Sequence, residues 1–90
     1  MTWHAEVRVM LKPSVNDPQG LSIRGGLHAL GFDGVEAVRA GKLIQVRLEA
    51  ASREAAERAV DEMCARLLAN PVIEQYAFTL TEALVAPATR

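Results

Sequence analysis

His4 and Glu6, separated by one residue, are of types that pair as base and orienting carboxylate or ligate a metal. His28, Cys64, Ser14 and Ser52 add further nucleophile or ligand chemistry. Nucleophilic catalysis requires a nucleophile, a base and an orienting group that converge. Cys64 lies between Met63 and Leu67 on an apolar helical stripe, where a thiol packs and stays inert. Ser14 falls in a turn and Ser52 at a helix start, both backbone-capping positions. His4 and Glu6 alternate onto one face of a strand, a surface pair rather than a shielded acid–base couple. His28 has no histidine or cysteine at metal-ligand spacing and is expected at the edge of the core or at an interface. Arg24-Gly25-Gly26 offers a cation and two glycines, but inside a helix rather than at the strand-to-helix junction where free N–H groups meet an anion. These residues point to a binding or assembly module, not to a self-sufficient enzyme.

The elements that position them follow from periodicity. From Trp3 to Leu11 the residues alternate, with Trp3, Ala5, Val7, Val9 and Leu11 on one side and His4, Glu6, Arg8 and Met10 on the other, the period of a half-buried strand, and Pro13-Ser14-Val15-Asn16 ends it. Asp17 before Pro18 reads as a helix cap, opening a helix from Pro18 to Leu30 with Ile23, Leu27 and Leu30 as its buried stripe and Gly31 as its left-handed stop. Gly25 and Gly26 weaken that helix by about 1 kcal/mol each relative to alanine. Val35–Ala40 and Lys42–Ala50 read as strands of a hairpin around Gly41. Ser52 caps a second helix reaching Ala69, with Ala56, Val60, Met63, Cys64 and Leu67 inward and a Glu54, Arg58, Glu62, Arg66 ladder outward. Asn70-Pro71 stops it, a last strand runs from about Val72 to Leu84, and 86–90 is expected to be a tail.

The order β-α-β-β-α-β predicts an α+β fold: a four-stranded antiparallel sheet with both helices on one face, ferredoxin-like. The opposite face, with His4, Glu6, Arg8, Met10, Gln45 and Arg47, then lacks cover from the chain itself.

Composition limits what such a module does. Ninety residues make one domain, 1–90, and a domain of that size buries only about 60 to 65% of its unfolded surface. A single cysteine permits no internal disulfide, so self-association or partner binding is the expected remedy. The net charge of −1, +1 over residues 1–45 and −2 over 46–90, gives no basic lobe for nucleic acid. The start carries no signal-like charged and apolar run, and no apolar stretch is long enough to cross a bilayer, so a cytoplasmic location is expected and no membrane partner.

Four sets of residues carry a resemblance. Lys12 with Asp17-Pro18-Gln19-Gly20, Leu27-His28 with Leu30-Gly31-Phe32, Val38-Arg39 with Gly41-Lys42, and Glu62-Met63-Cys64 leading into Leu67-Leu68-Ala69-Asn70-Pro71-Val72-Ile73-Glu74-Gln75-Tyr76 together resemble the PurS-type small subunit of phosphoribosylformylglycinamidine synthase. The similarity runs from Val7 to about Glu82; Ser14, Asn16 and Gly25-Gly26 depart from the family's usual residues.

The resemblance implies a non-catalytic subunit in de novo purine synthesis. It would assemble a glutaminase subunit with a large synthetase subunit, which converts formylglycinamide ribonucleotide to its amidine with ATP and glutamine-derived ammonia. ATP and magnesium would belong to the synthetase partner, with no cofactor on this chain, and the chain would be a homodimer or dimer of dimers. On that footing Asp17, Gln19, Arg39, Lys42, Asn70, Glu74 and Tyr76 are expected to face partners or fix loops, and Arg8, Met10 and Arg47 to serve self-association. The competing reading is a small-metabolite sensor that binds an amino acid between paired copies. An acylphosphatase-like enzyme on the same topology would need an anion-loop arginine that Pro13-Ser14-Val15-Asn16 lacks.

Overall fold

A computed structural model of the chain describes residues 1–83. It contains β1 (Thr2–Leu11), α1 (Pro18–Ala29), β2 (Gly41–Glu49), α2 (Arg53–Met63) and β3 (Glu74–Glu82), with one π-helical turn, Cys64–Leu68, continuing α2. The expected tail at 86–90, and Leu84 at the end of the expected last strand, lie outside the described residues.

β1 is the central strand of an antiparallel sheet ordered β2-β1-β3. Its alternation does what the sequence predicts: Trp3, Ala5, Val7 and Val9 are buried on one face. Val7 stands between Ile44 on β2 and Phe78 on β3. Full burial of a side chain such as Val7 or Val60 is worth about 1.5–3 kcal/mol.

The sheet has three strands, not the expected four. Val35–Ala40 forms no strand because its polar groups are taken by side chains outside the sheet. The Val35 carbonyl meets His28 Nε2 at 2.8 Å, the Ala40 N–H donates to Asp17 Oδ2 at 2.8 Å, and Arg39 reaches back to the loop after β1. The segment is a strap, so the hairpin around Gly41 is absent as well. Gly41 opens β2 without a positive φ; glycine is required there because a Cβ would collide with the Val9 carbonyl and the Met10 side chain. Gly31, with φ +99°, is the left-handed stop that was expected.

The helices also part from the expected arrangement of two on one face. α2 covers the sheet, packing against β1 and β3 with Ala56, Val60 and Cys64 fully buried. It starts as expected, with Ser52 Oγ accepting from the Ala55 N–H at 3.1 Å. Of its outward ladder, the Glu62–Arg66 rung is closed at 2.6 Å. α1 has no substantial packing contact with any strand, and Ile23 and Leu30 of its apolar stripe are 41% and 74% exposed. The cause lies at its root, where Gly20 sits so close to the Val38 carbonyl that a Cβ would overlap it. Only the helix start is tied down, to the strap and beside the end of the sheet, while the rest of α1 projects from it. The radius of gyration, 16.9 Å against roughly 12 Å for a compact chain of this length, reflects that projection.

The end of α2 carries a further correction. The Ala69 N–H bonds to the Cys64 carbonyl five residues back, at 3.0 Å. The extra residue in that turn swings Leu67 out to 83% exposure, and Leu68 and Ala69 take the core positions instead. β3 begins at Glu74 rather than Val72, since residues 70–73 form a turn closed by bonds from the Ile73 and Glu74 N–H groups to the Asn70 carbonyl.

Candidate functional site

Antiparallel register brings chain segments distant in sequence to one end of the sheet. Lys42 pairs with Val9 and Glu74 with Leu11, so both charged residues flank the last inward positions of β1. The N-terminus of α1 adds Asp17 and Gln19, and the four polar residues surround a cleft of about 260 Å³ floored by Val9, Leu11, Ala40 and Gly41.

Asp17 fixes the geometry. One carboxylate oxygen accepts from the Gly20 N–H at 2.9 Å, capping α1, and the other accepts from the Ala40 N–H at 2.8 Å, tying the strap to the helix root. The Ala40 bond, then the Gly20 bond, hold its pKa below the ordinary 3.8, with nearby Arg39 adding to the effect. Arg39 does not enter the cleft. Its guanidinium donates to the Lys12 and Val15 carbonyls at 2.9 and 3.0 Å and pins the loop that brings Asp17 into place.

The opposite wall is fixed by Asn70 and Glu74. Glu74 Oε1 accepts from the Asn70 N–H at 2.7 Å, and Asn70 Oδ1 from the Val72 N–H at 3.1 Å. Lys42 reaches Glu74 Oε2 only loosely, at 3.9 Å, and remains 58% exposed.

Thus Asp17, Gln19, Lys42 and Glu74 converge, and Arg39 and Asn70 brace the walls. Tyr76 does not join them. Its hydroxyl donates to Asp61 Oδ1 on α2 at 2.6 Å, and this bond, with burial, pushes the phenol up to about 12. On the outer face Arg8 and Met10 border a shallow hollow with Gln75 and Ala77, and Arg8 pairs with Glu6 at 3.4 Å. Arg47 pairs in register with His4, four residues along β1 from Arg8, and is not brought to them.

Sequence reasoning read Gly41 as a hairpin turn and Gly20 only as part of a motif, and missed that their missing side chains let the strap and β2 close on the cleft. The available signal was a glycine directly inside a cap and another at a strand start.

The other chemistry-bearing residues form no catalytic set. His28 is bound to the strap and Cys64 is fully buried, its thiol pushed up by desolvation. Among the described residues no group of three His, Cys, Asp or Glu is placed to hold a metal, and no helix is long and apolar enough to cross a membrane. The cleft has an apolar floor, a saturated carboxylate and a loosely held ammonium, a combination suited to docking. Fold and site together define a small α+β interaction module.

Comparison with known proteins narrows this class. Residues 4–82 match the family described as PurS, phosphoribosylformylglycinamidine (FGAM) synthase. A PurS subunit of that synthase from Synechocystis is 47% identical, covering 96% of this chain and 88% of the relative. The PurS subunit of Archaeoglobus fulgidus is 45% identical over 87% of this chain and 98% of its own length. Among solved structures, Bacillus subtilis PurS superposes with a TM-score of 0.80 at 40% identity, covering 89% of this chain and 99% of that one. A chain of the PurLQS structure from Thermotoga maritima does so with a TM-score of 0.83 at 31% identity, covering 90% and 99%. The chain belongs to the PurS family of FGAM synthase subunits, as its sequence resemblance implied. That membership does not favour the amino-acid-sensor reading.

Proposed function

We propose that this chain is the small, non-catalytic subunit of a cytoplasmic phosphoribosylformylglycinamidine synthase, acting in purine synthesis. It assembles the glutaminase and synthetase subunits so that ammonia passes from one to the other, while ATP and magnesium are used by the synthetase. The observation that carries this reading is the cleft itself. Asp17, Arg39 and Asn70 spend their hydrogen bonds on holding loops in place, and Lys42 and Gln19 are left facing outward. Such a rim suits binding a partner, not activating a substrate. The test is reconstitution with the matching glutaminase and synthetase. Glutamine-dependent product formation is expected to rise on adding this chain, with ammonia-dependent formation changed little. Equal rates with and without it refute the reading.

The subunit acts as a self-associated dimer or dimer of dimers. The inner face of β2, with Ile44, Val46 and Leu48, is only half-buried because α2 covers β1 and β3. Asp61 faces β3 through Tyr76, so Ala59 and Met63, about 160° round α2, border the uncovered side. The same chain carries an apolar helix, α1, with no sheet beneath it. A second copy's α1 laid over β2 satisfies both at once. Ile23→Asp and Leu30→Asp should each yield a folded monomer by sedimentation; an unchanged assembly refutes this packing.

A further inference from the structure

The turn that joins α1 to the strap carries a chemistry that neither the cleft nor self-association uses. Residues 32–35 form one β-turn, closed by the bond from the Val35 N–H to the Phe32 carbonyl at 3.3 Å. Asp33 and Gly34 hold its two central positions, and both are exposed. The N–H of the second central residue takes no part in that bond, and among the described residues nothing accepts from it. No donor or cation among the described residues holds the Asp33 carboxylate, and a side chain at Gly34 would meet nothing within 4 Å. A free carboxyl and a free amide nitrogen thus stand on adjacent residues, with no Cβ on the second to hinder their approach.

Every other aspartate and asparagine lacks one of these features. Asp17 and Asn70 precede Pro18 and Pro71, which have no N–H. Asp61 lies within α2, where the Glu62 N–H belongs to the helical ladder, and its carboxylate accepts from Tyr76. Asn16 precedes Asp17, a buried residue whose carboxylate is locked by two backbone N–H groups.

We infer that Asp33 is a site of spontaneous isoaspartate formation, the one place where the folded chain rearranges its own backbone. The Gly34 nitrogen attacks Asp33 Cγ and gives up its proton. An N–C bond forms, a C–O bond of the carboxyl breaks, and the oxygen leaves as water, closing a five-membered succinimide. Water then opens the ring. Breaking the new N–Cγ bond restores aspartate, whereas breaking the bond from nitrogen to the original backbone carbonyl leaves the chain running through Cγ. The water released in the first step balances the water consumed in the second, so no other reactant is needed. The product adds one methylene to the main chain between the helix stop at Gly31 and the bond tying the Val35 carbonyl to His28 Nε2, the first anchor of the strap.

The experiment keeps the full-length chain in neutral buffer at physiological temperature, its fold followed by circular dichroism, beside the same chain held in guanidinium chloride. After removal of denaturant and digestion, isoaspartate is read by transfer of a labelled methyl group from S-adenosylmethionine with an isoaspartyl carboxyl methyltransferase. Electron-transfer fragmentation then locates the residue. The expected result is label confined to the peptide containing Asp33, gained by the folded chain about as fast as by the unfolded one. Gly34→Ala, which meets no neighbour and no positive φ, should lose most of that label, and Asp33→Glu all of it. A folded chain that stays unlabelled at Asp33 overturns the inference; label in the unfolded control then shows that the turn protects the site. Label appearing equally fast at Asn16, Asp17, Asp61 or Asn70 of the folded chain overturns it too, as does a Gly34→Ala chain labelled like the unmodified one.

Discussion

The Tyr76 hydroxyl and the Asp61 carboxylate meet at 2.6 Å, joining β3 to α2 on the covered side of the sheet. The carboxylate stabilises the neutral phenol, which is why Tyr76 titrates near 12 instead of 10. Its folded pKa is raised, so the stability it contributes is complete below pH 10 and is lost as pH climbs from 10 to about 12. Tyr76 is the chain's sole tyrosine, so the ultraviolet absorbance of phenolate reads this one group. Asp61→Asn should bring the midpoint back towards 10; an unaltered midpoint contradicts the assignment.

Acid should act on the root of α1. Asp17 has a folded pKa below 3.8, so as pH falls the unfolded chain takes up this proton first. The stability from the ionised group is therefore whole above about pH 4 and is lost as pH drops through the folded pKa. Glu49, lowered chiefly by the Thr2 hydroxyl and next by the N-terminal ammonium, follows the same sign. Acid denaturation followed by the fluorescence of Trp3 should be less steep in Asp17→Asn and in Glu49→Gln, and flattest when both are changed.

Glycine positions separate by what surrounds them. Gly20→Ala should destabilise by about 1–3 kcal/mol, because a Cβ there overlaps the Val38 carbonyl and must displace the strap. Gly25→Ala and Gly26→Ala face open space in a helix and should each stabilise by about 0.5–1 kcal/mol. Urea unfolding of the three variants distinguishes these signs.

At α2, Ser52→Ala should cost about 1 kcal/mol, since the Ala55 N–H loses its acceptor. Ser52→Asp should recover most of that loss in the same unfolding assay, because an aspartate at a cap supplies an equivalent acceptor.

These residues also mark where sequence was sufficient. The Asp17 and Ser52 caps and the alternation of β1 depend on neighbours within a few positions, and all three were legible. Val35–Ala40 has the composition of a strand, but its hydrogen bonds are claimed by Asp17 and His28, a choice made by contacts across the loop. The placing of α1 turned on the approach of Gly20 to Val38, and that of Leu67 on one inserted turn residue; neither leaves a periodic trace. The cleft was partly legible because Asp17, Gln19, Lys42 and Glu74 all stand at the starts of elements, which antiparallel register gathers at one end. Tyr76 lies two residues further into β3, enough for α2 to capture its hydroxyl.

On the self-association proposed above, the uncovered strip over β2 would make stability a matter of abundance. A strip closed by another copy ties the folded fraction to concentration by mass action, so the thermal midpoint should climb as the protein is concentrated. A cell making this subunit in excess of its large partners would thereby keep a folded reserve. Scarcity would leave α1 the first segment open to proteases.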